Sequence, residues 1–291
     1  MIEVFAPAKI NLFLHVTAKR DDGYHELESI ISFLNIGDVV TLEQAQSYTL
    51  SIEGPFAQEL EKSTTTEDNI ITKAVHAFCE AADIAPSFNV TLKKMLPPAS
   101  GMGGGSADAA AVIYALKKLS NTDIDDIALS ELLVELGADV PVCYKSATTF
   151  VKGIGNHLNI LAEPETPYFA ILMNSRLAVS TKEVFENLQP PYAQELSTVK
   201  GPDDPGFMSF ITGQHNMLES AASMRAPEIQ MTIKVLVKQQ GCQLARMTGS
   251  GATCFGIFAN KQDWEAAFEA IQKEKPSYWV QRALVGKQAR F

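Results

Sequence analysis

Between residues 96 and 107 the chain reads Leu-Pro-Pro-Ala-Ser-Gly-Met-Gly-Gly-Gly-Ser-Ala, and four of the five residues 101–105 are glycine. Glycine in the body of a helix or strand costs about 0.5–1 kcal/mol relative to alanine, so such a run belongs to a junction between elements. The preceding residues 88–96 read as a strand, and the alanine-rich stretch 107–119 repeats its apolar positions at helical spacing. A strand that passes through a side-chain-free turn into a helix leaves backbone N–H groups and the positive end of the helix dipole open to an anion. The segment is not a Walker A loop, because no Gly-Lys-Ser/Thr follows, and its spacing does not fit the dinucleotide-binding fingerprint. Pro97, Pro98, Ala99, Ser100, Gly101, Met102, Gly103, Gly104, Gly105, Ser106 and Ala107 therefore form a candidate phosphate-binding loop, with the Ser106 hydroxyl in reach of a phosphate-bound Mg²⁺. The alternative is a flexible turn that is merely rich in glycine.

Strand-like segments crowd the first half, at 4–16, 29–34, 38–42 and 48–52. Asp68 and Asn69 offer an N-cap to a helix over 70–82, and Gly137 stops another over 126–136. Further strands are expected at 148–152, 168–173 and 278–285, with amphipathic helices at 227–240 and 263–273 and the strongest loop chemistry at 198–206. Strands interspersed with helices point to an α+β fold. The chain's 291 residues suffice for two medium domains, divided near residue 155.

The formal net charge of −10, from 34 acidic and 24 basic residues, leaves no broad basic footprint for nucleic acid. No apolar run reaches the roughly 20 residues a membrane-spanning helix needs, and the N-terminus lacks the basic start of a signal peptide, so a cytoplasmic protein is expected. Cys79, Cys143, Cys242 and Cys254 form no Cys-x-x-Cys pair, which argues for packed thiols over zinc or disulfides.

Lys9 is a lone cation in an apolar strand, and Asp139 lies just past a helix in an apolar stretch. On their own they read equally well as a structural ion pair and a helix-end acid. Tyr24 and His25 follow Gly23 in a polar turn, where an aromatic face and an imidazole could stack on and hydrogen-bond a pyrimidine. Asn11 is a polar residue in the same strand as Lys9, and Phe185 reads alone as a core-facing helix aromatic. Gly249-Ser250-Gly251 permits tight backbone beside a ligand or a plain β-turn.

Pro7-Ala8-Lys9-Ile10-Asn11-Leu12, the 97–107 loop and Gly249-Ser250-Gly251-Ala252, in that order and spacing, resemble the motifs of the galactokinase, homoserine kinase, mevalonate kinase and phosphomevalonate kinase superfamily. The resemblance spans nearly the whole chain. It implies a two-domain α+β kinase with its active site in the cleft between domains 1–155 and 156–291, using ATP with Mg²⁺, the metal reached by Ser106. It also implies that Asp139 is the general base and Lys9 its charged partner, and that residues 249–251 close the site beside the phosphates. Asp22-Gly23-Tyr24-His25-Glu26-Leu27 and Leu136-Gly137-Ala138-Asp139-Val140-Pro141 are similar to the branch that phosphorylates the 2-hydroxyl of a cytidine diphosphate conjugate of methylerythritol in the non-mevalonate isoprenoid route. By that resemblance Tyr24, His25 and Phe185 recognise the cytosine, Asn11 contacts the substrate near the transfer point, and the protein is a monomer or weak homodimer whose partner is this small molecule. Two departures stand out: Ala107 replaces a second serine, and Ala99 and Ser100 stand where relatives carry glycine. The competing readings are a superfamily kinase for another acceptor and an inactive nucleotide-binding regulator.

Overall fold

The computed structural model describes residues 1–122 and 124–286. Along the chain run β1 (Ile2–Lys19), β2 (His25–Gln44), β3 (Thr49–Glu53), α1 (Ala57–Ser63), α2 (Ile70–Ala81), β4 (Phe88–Lys93), α3 (Gly104–Ser120), α4 (Asp126–Leu136), α5 (Val140–Lys145), β5 (Thr149–Gly153) and β6 (His157–Ile160). They are followed by β7 (Tyr168–Asn174), α6 (Thr181–Glu186), α7 (Phe207–Thr212), α8 (Leu218–Arg225), α9 (Glu228–Val237), β8 (Cys242–Met247), β9 (Cys254–Phe258), α10 (Lys261–Glu274) and β10 (Trp279–Val285). The α+β expectation is borne out.

The spine of the sheet is β2. It pairs antiparallel with β1 along its length, with β5 through residues 27–31 and with β4 through 39–44. Residues 29–34 are buried without alternation, the pattern of a strand covered on both faces. Sequence reading expects two strands here, 29–34 and 38–42. The structure keeps one, because Gly37 pairs with Pro7 and lets β1 approach so closely that a Cβ would collide with the Ala6 carbonyl. At Leu34 the strand meets Val285, and β10 carries the sheet on through β7, β9 and β8.

One apolar cluster packs α2, α3, α4 and α5 on the first sheet half around Phe33, Phe78 and Leu116. A second lies among α8, α9, α10 and the later strands, around Leu236, Ile271 and Phe258. A third, with Ile10, Phe13, Leu34, Phe255 and Val285, joins them across the sheet. Several expected boundaries move for physical reasons. The strand expected through Leu96 ends at Lys93, because the Met95 and Leu96 N–H groups donate to Asp38 Oδ1 at 2.6 and 2.9 Å and so leave the ladder. The helix expected from Ala107 begins at Gly104, inside the glycine segment. Asn69 caps α2 as read, accepting from Ile71 N at 2.9 Å. No helix among the described residues is long and apolar enough to cross a membrane.

Leu34 is fully buried where the two halves of the sheet meet. Leu34→Ala is expected to lower unfolding free energy by about 2–5 kcal/mol in urea titrations, the usual cost of such a cavity. A loss below about 1 kcal/mol would mean that this junction does not hold the sheet together.

Candidate active site

The site grows from β1. Lys9 is only 4% exposed, so its ammonium has to be met inside the protein. It lies 3.1 Å from Asp139 Oδ2 and donates to Asn11 Oδ1 at 2.7 Å. Asn11 Nδ2 in turn donates to Ser29 Oγ at 2.8 Å, and Ser29 donates to the Phe13 carbonyl. Asp139 stands at the N-cap of α5, right after the Gly137 turn, and its side chain is 39% exposed toward open space. The pair is therefore asymmetric: a buried cation holds a carboxylate whose other edge is free.

The glycine segment folds directly over this pair. Lys9 N–H donates to the Met102 carbonyl at 2.9 Å, and a Cβ on Gly103 (φ +64°) would stand 2.7 Å from Lys9 Cγ. α3 then starts, and its first intrahelical bond runs from Ala107 N to Gly103 O, so the N–H groups of residues 104–106 have no partner in the helix. Gly101 (φ +77°) faces the other glycine loop, where its Cβ would strike the Thr248 carbonyl, while a Cβ on Gly249 (φ +54°) would lie 2.7 Å from Gly101 O. Two backbones thus touch with no side chain between them.

These groups line one cleft of about 590 Å³, together with Thr181, Phe185 and Lys94. Of the residues expected from sequence, Lys9, Asn11, Asp139, Pro97, Pro98, Ala99, Ser100, Gly101, Gly103, Gly104, Gly105, Ser106, Phe185, Gly249 and Ser250 face it. Met102 and Ala107 are fully buried, so the alanine that replaces a serine occupies a core position of α3. Gly251 (φ +89°) packs on Met247, behind Ser250. Tyr24 is 63% exposed in the turn before β2 and, like His25, does not line the cleft. His25 is buried, with its ring 5.2 Å from that of Phe185 at an interplanar angle of 31°. Burial pushes its imidazole pKa down, with Lys19 adding to the effect. Cys143 is a packed thiol held well above its ordinary pKa by burial, and His15 is a core histidine against Phe13 and His215, its pKa lowered to about 4 chiefly by desolvation.

Sequence reading missed three parts of the site. Thr248 Oγ1 accepts from Asn11 N–H at 2.9 Å, and Thr181 shares a 2.7 Å hydroxyl contact with Ser250. The third is a buried triad: Lys94 Nζ lies 2.6 Å from Asp38 Oδ2 and 2.8 Å from Asp108 Oδ2, and a Cβ on Gly104 would stand 3.1 Å from that ammonium. The triad ties β2, the end of β4 and the first turns of α3. A signal for it did exist, since Phe88, Val90, Leu92 and Lys94 continue one inward-facing alternation.

Two family models match, GHMP kinases N terminal domain over residues 69–147 and GHMP kinases C terminal over 206–277. The chain is 42% identical over 291 residues to a 4-diphosphocytidyl-2-C-methyl-D-erythritol kinase of Cereibacter sphaeroides (strain ATCC 17029 / ATH 2.4.9), covering 98% of this chain and 100% of that one. A crystal structure of a 4-(cytidine 5'-diphospho)-2C-methyl-D-erythritol kinase superposes with a TM-score of 0.80 at 29% identity, covering 99% of this chain and 100% of the other. A homoserine kinase from Cytophaga hutchinsonii shares the fold at a TM-score of 0.73 and 19% identity, over 99% and 95%.

Burial, opposed by Lys94 and reinforced by Asp38, pushes the Asp108 carboxyl up to about 8. A carboxyl whose folded pKa exceeds its unfolded value makes stability fall as pH rises between the two, here from about 4 to 8, and level off above. Asp108→Asn is expected to remove that falling component from the pH dependence of unfolding. An unchanged profile would show that Asp108 is ionised throughout.

Proposed function

This chain belongs to the 4-diphosphocytidyl-2-C-methyl-D-erythritol kinases of the GHMP kinase family, and on that premise we propose that it transfers the γ-phosphoryl group of ATP to the 2-hydroxyl of that substrate. The observation that carries the reading is the Lys9–Asp139 pair, which shares one cleft with the unpaired N–H groups at the start of α3. The cleft's volume of about 590 Å³ lies within the range usual for small-molecule sites.

Phosphoryl transfer requires an aligned acceptor, a place for its proton and compensation of the charge on the transferring group. Asp139 accepts the proton from the 2-hydroxyl. Lys9 holds Asp139 aimed at the cleft, and its remaining donor capacity serves the transferring phosphoryl oxygens. Asn11 orients the Lys9 ammonium from the other side and stands beside the acceptor carbon. The N–H groups of residues 104–106 hold the ATP phosphates at the α3 dipole, and residues 249–251 close the opposite wall. Mg²⁺ would neutralise charge on the ATP phosphates. Ser106, which lines the cleft at the start of α3, would hold it.

The cytosine end lies toward Phe185, with His25 behind that ring and Tyr24 on the exposed turn free to cover the base. We also keep the division into domains 1–155 and 156–291, a cytoplasmic location and a monomeric or weakly dimeric state as parts of this reading; sedimentation across a protein concentration series reads out the last.

Asp139→Asn retains the shape but cannot take the proton, and is expected to lower kcat by about 10² or more with the Kd for ATP unchanged. Near-normal turnover would remove Asp139 from the base role. Tyr24→Ala is expected to raise KM for the cytidyl substrate and leave KM for ATP unaltered; equal changes in both would make Tyr24 structural.

A further inference from the structure

Residues 213–217, which join α7 to α8, are fastened to β1 and β8. Leu14 N–H donates to the His215 carbonyl at 3.1 Å, Met217 N–H donates to the Leu14 carbonyl at 2.9 Å, and the Arg246 guanidinium donates to the Gln214 carbonyl at 2.8 Å. The segment is thus fixed to the same strand that carries Lys9 and Asn11. Asn216 lies within it and is 5% exposed.

Every polar atom of the Asn216 side chain is engaged. Nδ2 donates to the Met247 carbonyl at 2.9 Å and to the Gly249 carbonyl at 2.8 Å, while Oδ1 accepts from Leu218 N–H at 3.0 Å. The reversed amide would set its oxygen against two carbonyls, so only this orientation satisfies all three groups. An amide that gives both hydrogens to the carbonyls on either side of one residue fixes the backbone of that residue. Here the residue is Thr248, which is fully buried, and Glu219 Oε2 adds a further hold by accepting from Met247 N–H at 3.2 Å.

Thr248 is where two parts of the cleft meet. Its Oγ1 accepts from Asn11 N–H at 2.9 Å and lies 3.4 Å from the Gly101 carbonyl in the glycine segment. Its own carbonyl stands where a Cβ on Gly101 would collide. A shift of Thr248 therefore moves Asn11 and Gly101 relative to each other, and a misplacement of about 1 Å between reacting groups can cost about 10²-fold in rate.

We propose that Asn216 is a positioning residue for phosphoryl transfer: by clamping the carbonyls of Met247 and Gly249 it sets Thr248, and through Thr248 the register between the acceptor side of the cleft at Asn11 and the glycine segment at Gly101. Asn216 does not line the cleft, so it acts only through that loop. The inference rests on the phosphoryl-transfer reading given above.

The test is steady-state kinetics of the full chain with ATP, Mg²⁺ and 4-diphosphocytidyl-2-C-methyl-D-erythritol, with kcat expressed per ATP site counted by calorimetry so that unfolded protein does not enter. Asn216→Asp keeps the shape and the acceptor for Leu218 N–H but sets oxygen against both carbonyls. It is expected to lower kcat about tenfold, with Kd for ATP and KM for the cytidyl substrate within about threefold of wild type. Thr248→Val, which removes the hydroxyl, is expected to lose a similar factor, and the double variant to lose no more than either alone, because both act on one contact. Asn216→Ala, which removes the donors without adding a charge, carries the same expectations if the aspartate variant does not fold. An unchanged kcat in the Asn216 or the Thr248 variant would overturn the proposal. So would losses that multiply in the double variant, the result expected of an amide that only supports the fold. A wild-type protein that binds ATP but does not turn over the cytidyl substrate would instead overturn the assignment of the site, and this inference with it.

Discussion

A positive charge at the 4%-exposed position of Lys9, in the middle of a strand whose neighbours Ala8 and Ile10 are fully buried, is a demand that the surrounding fold has to satisfy. A buried cation is unfavourable unless it is paired and hydrogen-bonded. Here the partners come from widely separated parts of the chain: Asp139 from the turn before α5, Asn11 from β1 itself, and Ser29 from β2 as support for Asn11. The main chain at Lys9 adds a fourth, the glycine segment, through its bond to Met102. Meeting one charge thus brings Asp139 and the glycine segment to one place.

The second constraint is steric. Gly101 against Thr248 and Gly249, and Gly103 against the Lys9 stem, are contacts that no Cβ would permit, and each of these glycines has a positive φ. One glycine-bearing loop follows β4 and the other joins β8 to β9, in the two halves of the sheet that meet where Leu34 pairs with Val285. The Lys94–Asp38–Asp108 triad fixes the same helix start from beneath. The glycine segment is held on both faces, while the N–H groups of residues 104–106 have no partner within the helix.

Much of this was legible in the sequence because local chemistry dictated it. Glycine density announced a loop between strand and helix, Asn69 and Gly137 marked helix ends, and the lone cation in an apolar strand marked Lys9. The break expected between residues 34 and 38 does not form, because Gly37 admits the close approach of β1 and the strand runs on. Thr248 and Thr181 escaped because their partners, Asn11 and Ser250, lie far away in sequence, and single threonines carry no periodic signal. Phe185 lines the cleft from α6, but its stack on His25 joins residues far apart in sequence, which no local pattern encodes.

The central claim is that one cleft joins a GHMP phosphate loop to a Lys9–Asp139 pair serving a cytidyl acceptor. Its most direct test is ATP consumption by the purified protein with Mg²⁺, comparing 4-diphosphocytidyl-2-C-methyl-D-erythritol with mevalonate, homoserine and galactose. The account predicts turnover with the cytidyl acceptor alone. Turnover with one of the other acceptors, or ATP binding without turnover of any, would contradict it.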